Sequence, residues 1–324
     1  VSLARGLVLG TLVVLLALAA GILLVRVLGL DTGFPLVAVM TVLPWVVVLC
    51  ASLLAAAGLL GEPRVALAAA LLLAVGVVVL APRAVAGPGP VAPPDGPELV
   101  VAVANLREGA ADADALVAAV EDHGVDLLLT LELTEPAIER LAAAGLDAVL
   151  PEQVLLPSRL TSGGGIHART PLEALEPGTS RRFGSTPRAR VSVDGALAVV
   201  LEGVHPLPPI DREWTSRWQA ALAGLPSPGS GDEPVVLLAG DLNATLDHRA
   251  LRAVLARGWV DAADAAGAGL RPTFNALPFG EPVPPVTIDH VLVDGRVEVL
   301  AATTAALPDS DHHMLVVRLR LPAV

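Results

Sequence analysis

The sequence predicts a mixed α/β protein: packed mixed sheets flanked by helices, preceded by three transmembrane helices. Three observations carry this. Residues 1–83 hold six charged side chains, whereas all seven histidines lie further along the chain. Three apolar runs of spanning length fill that first part. Beyond it, short apolar strands mix with amphipathic helices, some strands joined as hairpins. The mean hydropathy of +0.68 reflects that split rather than a uniformly apolar fold.

The apolar runs are Leu7–Val25, Phe34–Leu60 and Val65–Ala81. A bilayer core takes about 20 apolar residues as a helix, so the third is the shortest that serves. Pro44, inside the second, is read as a tolerated kink. No cleavage site follows Val25 and two more apolar runs come after it, which argues against a signal peptide. Arg5 and Arg64 mark one end of the bundle as cytoplasmic, while Arg26 and Arg83 at the other end oppose that reading. An odd number of spans then carries the rest of the chain outside. The lack of lysine and tyrosine, with abundant Ala, Val, Leu, Gly and Pro, reads as the bias of a GC-rich bacterial genome. The expected location is a bacterial cell membrane, multi-pass, with the lipid bilayer as partner. Cys50, the single cysteine, lies in an apolar run and reads as a small buried hydrophobe.

The expected organisation is a transmembrane region over 1–83, a Pro/Gly-rich linker over 84–97 and a soluble domain over 98–324. The linker reads as a semi-rigid spacer that stands the domain off the bilayer. In the domain, Glu98–Leu106 and Val125–Leu133 are expected strands. Asp112–His123 is an amphipathic helix with an aspartate cap, and Glu135–Gly145 a helix stopped by glycine. Ala189–His205 reads as a hairpin through Asp194-Gly195. A helix (Glu213–Leu225), a strand (Pro234–Gly240), a helix (His248–Gly258) and two strands (Ile288–Gly295, His312–Leu321) complete it. From residue 84 onward, 17 arginines face 31 acidic residues, a formal charge of −14. Such a domain lacks the basic footprint of a tight duplex binder, although a local arginine patch suffices for one phosphate.

Chemically capable side chains recur at strand ends: Asn105, Glu132, His205, Asp241 with Asn243, Asp289 with His290, and Asp311 with His312. Rigid strands hold such groups where loops open to solvent. Hard divalent cations take oxygen ligands, histidines exchange protons near neutral pH, and an aspartate partner raises a histidine pKa. No His-Glu-x-x-His spacing points to zinc.

Three segments carry a family resemblance. Gly240–Thr245 (GDLNAT), Ile288–Val293 (IDHVLV) and Ser310–Val316 (SDHHMLV), in this order, resemble the signature segments of the endonuclease/exonuclease/phosphatase superfamily. That superfamily includes apurinic endonucleases, pancreatic-type DNases, sphingomyelinases and inositol-phosphate phosphatases. The resemblance covers residues 98–321 and implies a four-layer α/β sandwich of two central sheets with helices outside. It implies Asn105, Glu132 and Asp311 at a metal, Mg²⁺ or alternatively Mn²⁺, with Glu132 the principal ligand. Asp241 would orient or deprotonate the attacking water, and Asn243 and His205 would contact phosphate. His312, its ring fixed by Asp289, would share in proton transfer.

His290 reads as structural. Arg169 ends a Gly-rich segment where the family has Ser-Arg, and is expected to support the site. Arg188, with Arg181, Arg182 and Arg190, forms the densest basic cluster, either a solvated surface or a contact for an anionic substrate. The family tyrosine that contacts phosphate in apurinic endonucleases has no counterpart here. The expected activity is therefore divalent-metal-dependent hydrolysis of a lipid-borne or small phosphoester. A tethered nonspecific nuclease and an inactive binding module are the alternatives.

Overall fold

A computed structural model of the chain describes residues 2–87, 89–90, 92, 95–177 and 186–323. The chain opens with α1 (Ser2–Leu28), α2 (Leu36–Met40), α3 (Leu43–Leu59) and α4 (Pro63–Leu80). Among the described residues, two helical stretches are long and apolar enough to cross a membrane, Leu3–Leu28 and Pro63–Ala84. Only 22% of the apolar window of each is buried inside the protein, which leaves leucines and valines facing outward as lipid-exposed helices do.

The expected second span is not one helix. It divides into the short α2 and the 17-residue α3, which is shorter than either of the two candidate spans. Pro44 does not kink a long helix; it lies in the first turn of α3, where its missing N–H removes no helical hydrogen bond. Three expected spans thus become two, with one shorter apolar helix between them.

The start of the expected spacer lies against the body. Gly269 N–H donates to the Arg83 carbonyl (3.1 Å), Gly87 N–H donates to Ala265 (3.1 Å), and Ala86 bridges to Ala266. The start of the Pro/Gly stretch is pinned along the body it was expected to hold away, because stiffness says nothing of direction.

That body is built on two six-stranded sheets. The first contains β1 (Glu98–Asn105), β2 (Leu127–Leu131), β3 (Glu152–Leu156), β4 (Gly164–Ala168), β11 (Glu298–Ala305) and β12 (Met314–Arg320), ordered β11-β12-β1-β2-β4-β3. The second contains β5 (Leu172–Ala174), β6 (Arg188–Val191), β7 (Val199–Gly203), β8 (Val235–Asp241), β9 (Val260–Asp261) and β10 (Asp289–Val293), ordered β5-β6-β7-β8-β10-β9. Alternate residues of both, including Val101, Leu129, Leu201, Leu237 and Val291, meet in one core between the sheets.

Helices cover the outer faces. Those of the first sheet are α5 (Ala113–Asp122), α6 (Glu135–Ala143) and α7 (Leu146–Val149), packed over Ala102, Leu128 and Val316. On the second sheet α8 (Arg212–Ala223) and α9 (Arg249–Leu255) pack over Leu238 and Leu292, with α10 (Ala262–Ala265) near its edge. Asp112, Thr134 and Asp211 cap α5, α6 and α8 by accepting a backbone N–H from the first turn. The result is the mixed α/β sandwich expected, with the hairpin β6–β7 in place.

Candidate active site

Strand direction gathers the polar residues. β1 and β2 run parallel, so Asn105 and Glu132 emerge at the same end. β12 runs against β1, with Leu315 opposite Val103, which brings His312 to that end too. In the second sheet β7 and β8 run parallel, Gly203 opposite Ala239, so His205 and Asp241 emerge together. β10 runs against β8 with Asp289 directly opposite Asp241. Six side chains from two sheets therefore meet at one end of the sandwich.

Gly240 makes the approach possible. Its φ is 147°, and a Cβ there would sit 2.0 Å from the Val204 carbonyl oxygen. Only glycine lets β8 pass so close to the chain leading into His205. Glu132 and Asn243 adopt left-handed backbone, φ 54° and 48°, as do Arg107 and Glu108 beside them. Non-glycine residues in this region concentrate at functional sites.

Asn105 Nδ2 donates to Glu132 Oε1 (3.1 Å) and to Asp241 Oδ2 (3.3 Å), while its Oδ1 accepts Arg107 N–H (3.0 Å). The Glu108 N–H donates to Glu132 Oε2 (2.7 Å). His205 Nε2 lies 3.9 Å from Glu132 Oε1 and 3.8 Å from Asp241 Oδ2. His312 Nδ1 is 2.9 Å from Asp289 Oδ2, and its Nε2 is 3.6 Å from Asp241 Oδ2. The Ser310 hydroxyl donates to the Asn105 carbonyl (2.8 Å) and accepts the His312 N–H (3.0 Å), tying the last strand to the first. Phe274 meets the His312 ring edge-on at 5.0 Å.

Burial disfavours the His312 imidazolium, but the Asp289 carboxylate, with Asp241 and Asp311 behind it, overrides this and pushes its pKa up to about 10. Burial and the Asp289 charge raise the Asp241 pKa, opposed by His312, His205 and the Asn243 N–H. Asp241, Asp289 and His312 each present one ligand atom within 4.8 Å of the others, a spacing that suits a metal ion. The buried Asp289 Oδ1 has no hydrogen-bond partner. An oxygen-rich, anionic, largely buried set of this kind fits a hard divalent cation.

The structure thus joins Asn105, Glu132, His205, Asp241, Asp289 and His312. Asn243 and Asp311 line the same cavity of about 750 Å³. Asn243 Nδ2 donates to the Pro206 carbonyl (3.1 Å) and its N–H to Asp241 Oδ1 (2.9 Å). His290 is fully buried between Asp261 (2.6 Å) and the Ala244 carbonyl (2.7 Å), a structural role as expected.

Arg169 is placed otherwise, and Arg188 stands at the site end of its strand but off the cavity wall. β4 runs against β2, so its glycine start, not its arginine end, faces the site. Arg169 lies at the far end of the sheet, bound to the Val125 carbonyl (2.9 Å) and beside Asp126 (3.3 Å). Arg188 is at the near end of β6, with its guanidinium 3.4 Å from the buried Glu202 in the neighbouring strand. Arg181 and Arg182 lie outside the described residues. Sequence reasoning missed Arg107, which lines the cavity and lies 3.8 Å over the Phe279 ring. Its position two residues past Asn105, in the same strand-end loop, was the available signal.

A family model described as "Endonuclease/Exonuclease/phosphatase family" matches residues 102–312. The chain belongs to the endonuclease/exonuclease/phosphatase family. With the buried Asp/Asp/His group, membership makes it a metal-dependent hydrolase of the phosphoesterase and nuclease class. Solved structures repeat the fold at low identity. An endonuclease/exonuclease/phosphatase from Beutenbergia cavernae is 17% identical, with a TM-score of 0.52 over 69% of this chain and 72% of that one. The truncated TDP2 of Caenorhabditis elegans is 16% identical, with a TM-score of 0.51 over 69% of this chain and 98% of that one. TDP2 of D. rerio, complexed with a single-strand DNA product, is 18% identical, with a TM-score of 0.52 over 69% and 99%. No curated protein matches the chain.

Proposed function

We propose that the chain is a membrane-embedded, Mg²⁺- or Mn²⁺-dependent phosphoesterase, either phosphodiesterase or phosphatase, whose site lies outside the cytoplasmic membrane. Residues 1–83 form its membrane region and 98–324 its catalytic domain, joined through 84–97. The observation that carries this reading is the junction of Glu132, Asn105, His205 and Asp241 at one buried point, beside the His312–Asp289 pair.

The two anionic groups differ in what neutralises them. A protonated His312 already lies between Asp289 and Asp241, whereas Glu132 has an amide and backbone N–H donors with His205 further off. This favours Glu132 and Asp241 as the residues that would hold the cation, with Asn105 and Asp311 beside them. When bound, a divalent ion neutralises charge on the non-bridging oxygens and the leaving oxygen. Asp241 would orient the attacking water, and Asn243 and His205 would hold phosphate oxygens. His312, kept as imidazolium by Asp289, would supply a proton to the leaving oxygen. Arg107 adds a cation on the cavity wall. We read Arg169 and Arg188 as structural.

The outward orientation does not depend on the length of α3. That helix returns the chain from the body, where Trp45 donates to the Pro285 carbonyl, to the Arg5 end, where Arg5 donates to the Leu60 carbonyl. Helices α1 and α4 therefore both run towards the body, and the orientation rests on Arg26 and Arg83. Both contact Asp247 of the soluble body, at 2.8 Å and 2.6 Å, so they are held by the protein and do not mark the cytoplasmic side. Arg5, paired with Glu62 at 2.8 Å, lies at the opposite end, and Arg64 follows Glu62 by two residues.

The test is hydrolysis by the full chain in detergent with Mg²⁺, Mn²⁺ or EDTA. Substrates are plasmid DNA, p-nitrophenyl and bis-p-nitrophenyl phosphate, and phospholipids. Metal-dependent turnover, lost in Glu132→Ala and His312→Ala, is expected. Folded protein inactive with every metal and substrate would leave a binding module as the reading. Plasmid cleavage outrunning every small or lipid ester would make it a nuclease.

A further inference from the structure

The wall of the catalytic cavity is completed by the membrane region. Ala38 and Thr41, in the middle of α2 and just past it, and Val42, before α3, line the same cavity as Glu132, Asp241 and His312. Further apolar wall comes from two proline-rich loops of the soluble body, Leu207–Ile210 and Pro282–Pro284, with Trp214, Phe274, Val286 and Ile288. The second loop is fixed to the membrane region, since Trp45 Nε1 in the first turn of α3 donates to the Pro285 carbonyl (2.9 Å). The wall next to the membrane helices is thus mainly apolar, with the Thr41 hydroxyl and Glu281 as its polar members, whereas the site carboxylates and histidines gather at the catalytic end.

The surrounding surface continues this gradient. Ile210 on the cavity wall is 61% exposed, and Phe34 and Leu36, at the start of α2, are 38% and 40% exposed. Among the described residues, Arg107 is the one basic side chain besides histidine on the wall. One guanidinium suits one phosphate group; a polynucleotide, with a phosphate at every residue, draws on many. A water-soluble monoester would need no contact with α2 at all.

We propose that the apolar end of this cavity, made by α2, Val42 and the two proline-rich loops, is a subsite for the hydrocarbon tail of a membrane-lipid phosphoester. The assignment rests on the hydrolase reading above and narrows its substrate class. The head group reaches the carboxylates and histidines while the first carbons of the tail stay against Val42 and Ile210, at the depth where α2 sits at the end of the bundle. Burying each methylene removes apolar surface from water, so affinity rises with chain length until the subsite is filled.

The experiment is a homologous series of alkyl p-nitrophenyl phosphate diesters with methyl, butyl and octyl chains. They are hydrolysed by the full chain in nanodiscs with Mn²⁺, and p-nitrophenolate is the readout. In each turnover water oxygen bonds to phosphorus, the bond from phosphorus to the nitrophenyl oxygen breaks, p-nitrophenolate leaves with the bonding pair, and the water protons pass to the alkyl phosphate and the buffer. The expected result is a rise in kcat/KM of at least about tenfold from methyl to octyl. Val42→Asp and, from the opposite wall, Ile210→Asp should each bring the octyl-to-methyl ratio down towards one. A flat series in the unaltered chain, with the methyl ester hydrolysed, overturns the subsite and leaves the hydrolase reading intact. A rise that survives both substitutions overturns it equally, because it then comes from partition into the bilayer. No hydrolysis of any ester with any metal brings down the hydrolase reading and the subsite together.

Discussion

At the residue scale, the site depends on how two carboxylates share one imidazole. Asp289 is buried, directly opposite Asp241 across the β8–β10 pair, and bonded to His312. Replacing Asp289 by Asn leaves the shape but removes the charge that keeps His312 protonated. We expect Asp289→Asn to lower kcat/KM by about 10²–10⁴, the range of a lost general acid. Its KM should change little, since Asp289 is not on the cavity wall. A change confined to KM would show that Asp289 only shapes the pocket. Gly240 offers a second test. An added Cβ would overlap the Val204 carbonyl, and a φ of 147° is one that side chains rarely adopt. Gly240→Ala should destabilise the fold by at least about 1–3 kcal/mol and separate Asp241 from His205, read as a lower Tm together with lost turnover.

At the element scale, what could be read from the sequence was where strands lie and what stands at their ends. Short apolar runs place β1, β2, β8, β10 and β12 within a few residues of their observed bounds, and an aspartate does cap α5. Periodicity carries no strand direction, which is why Arg169 is found at the wrong end of β4. It also passes over β3, β5, β9 and β11, whose side chains are partly exposed or whose length is only a few residues. Pro44 permits either a kink or a helix start, and composition does not choose between them; local packing does. Nor does any local pattern reveal that Arg26 and Arg83, far apart in sequence, converge on Asp247.

That convergence gives a prediction for the elements concerned. The Asp247 side chain is wholly buried and receives two hydrogen bonds from Arg83, at 2.9 and 2.6 Å, and one from Arg26 at 2.8 Å. Burial alone would raise its pKa; the two guanidinium groups reverse this and hold it below the ordinary carboxylate value. A depressed carboxylate pKa contributes stability in full above its unfolded value of about 3.9, and that contribution is lost as pH falls through the folded value. Docking of the helices should therefore be unchanged from neutral pH down to about 5 and weaken only in stronger acid. Asp247→Asn leaves buried guanidinium groups unpaired and should cost about 3–5 kcal/mol at neutral pH. Thermal melts of both proteins across pH check this; equal stability at neutral pH would show the cluster to be energetically idle.

At the scale of the whole molecule, the N-terminal helices and the two-sheet body share a core and a cavity, so separating them should have a defined effect. Val37 of α2 is buried among Trp218, Leu238, Leu251 and Leu292, and its carbonyl lies 3.0 Å from His248 Nε2. Asp31, before α2, accepts the Arg249 N–H at 2.7 Å. A fragment beginning at residue 95 loses these contacts and both arginines that hold Asp247. Uncovering one valine site costs about 1.5–3 kcal/mol, and with the ion cluster gone the melting temperature should fall by on the order of 10 °C. The two-sheet core and the six side chains gathered at the candidate site lie wholly within the fragment, so it should still fold and still turn over p-nitrophenyl esters with metal. What it should lose is the preference for longer alkyl chains, because Ala38 and Val42 leave with the helices. Differential scanning calorimetry and the alkyl series on the same fragment separate the two effects. A fragment that melts with the full chain but loses chain-length preference would assign the helices to substrate recognition alone. One that melts lower yet keeps the preference would assign them to stability and place the tail contacts on the proline-rich loops.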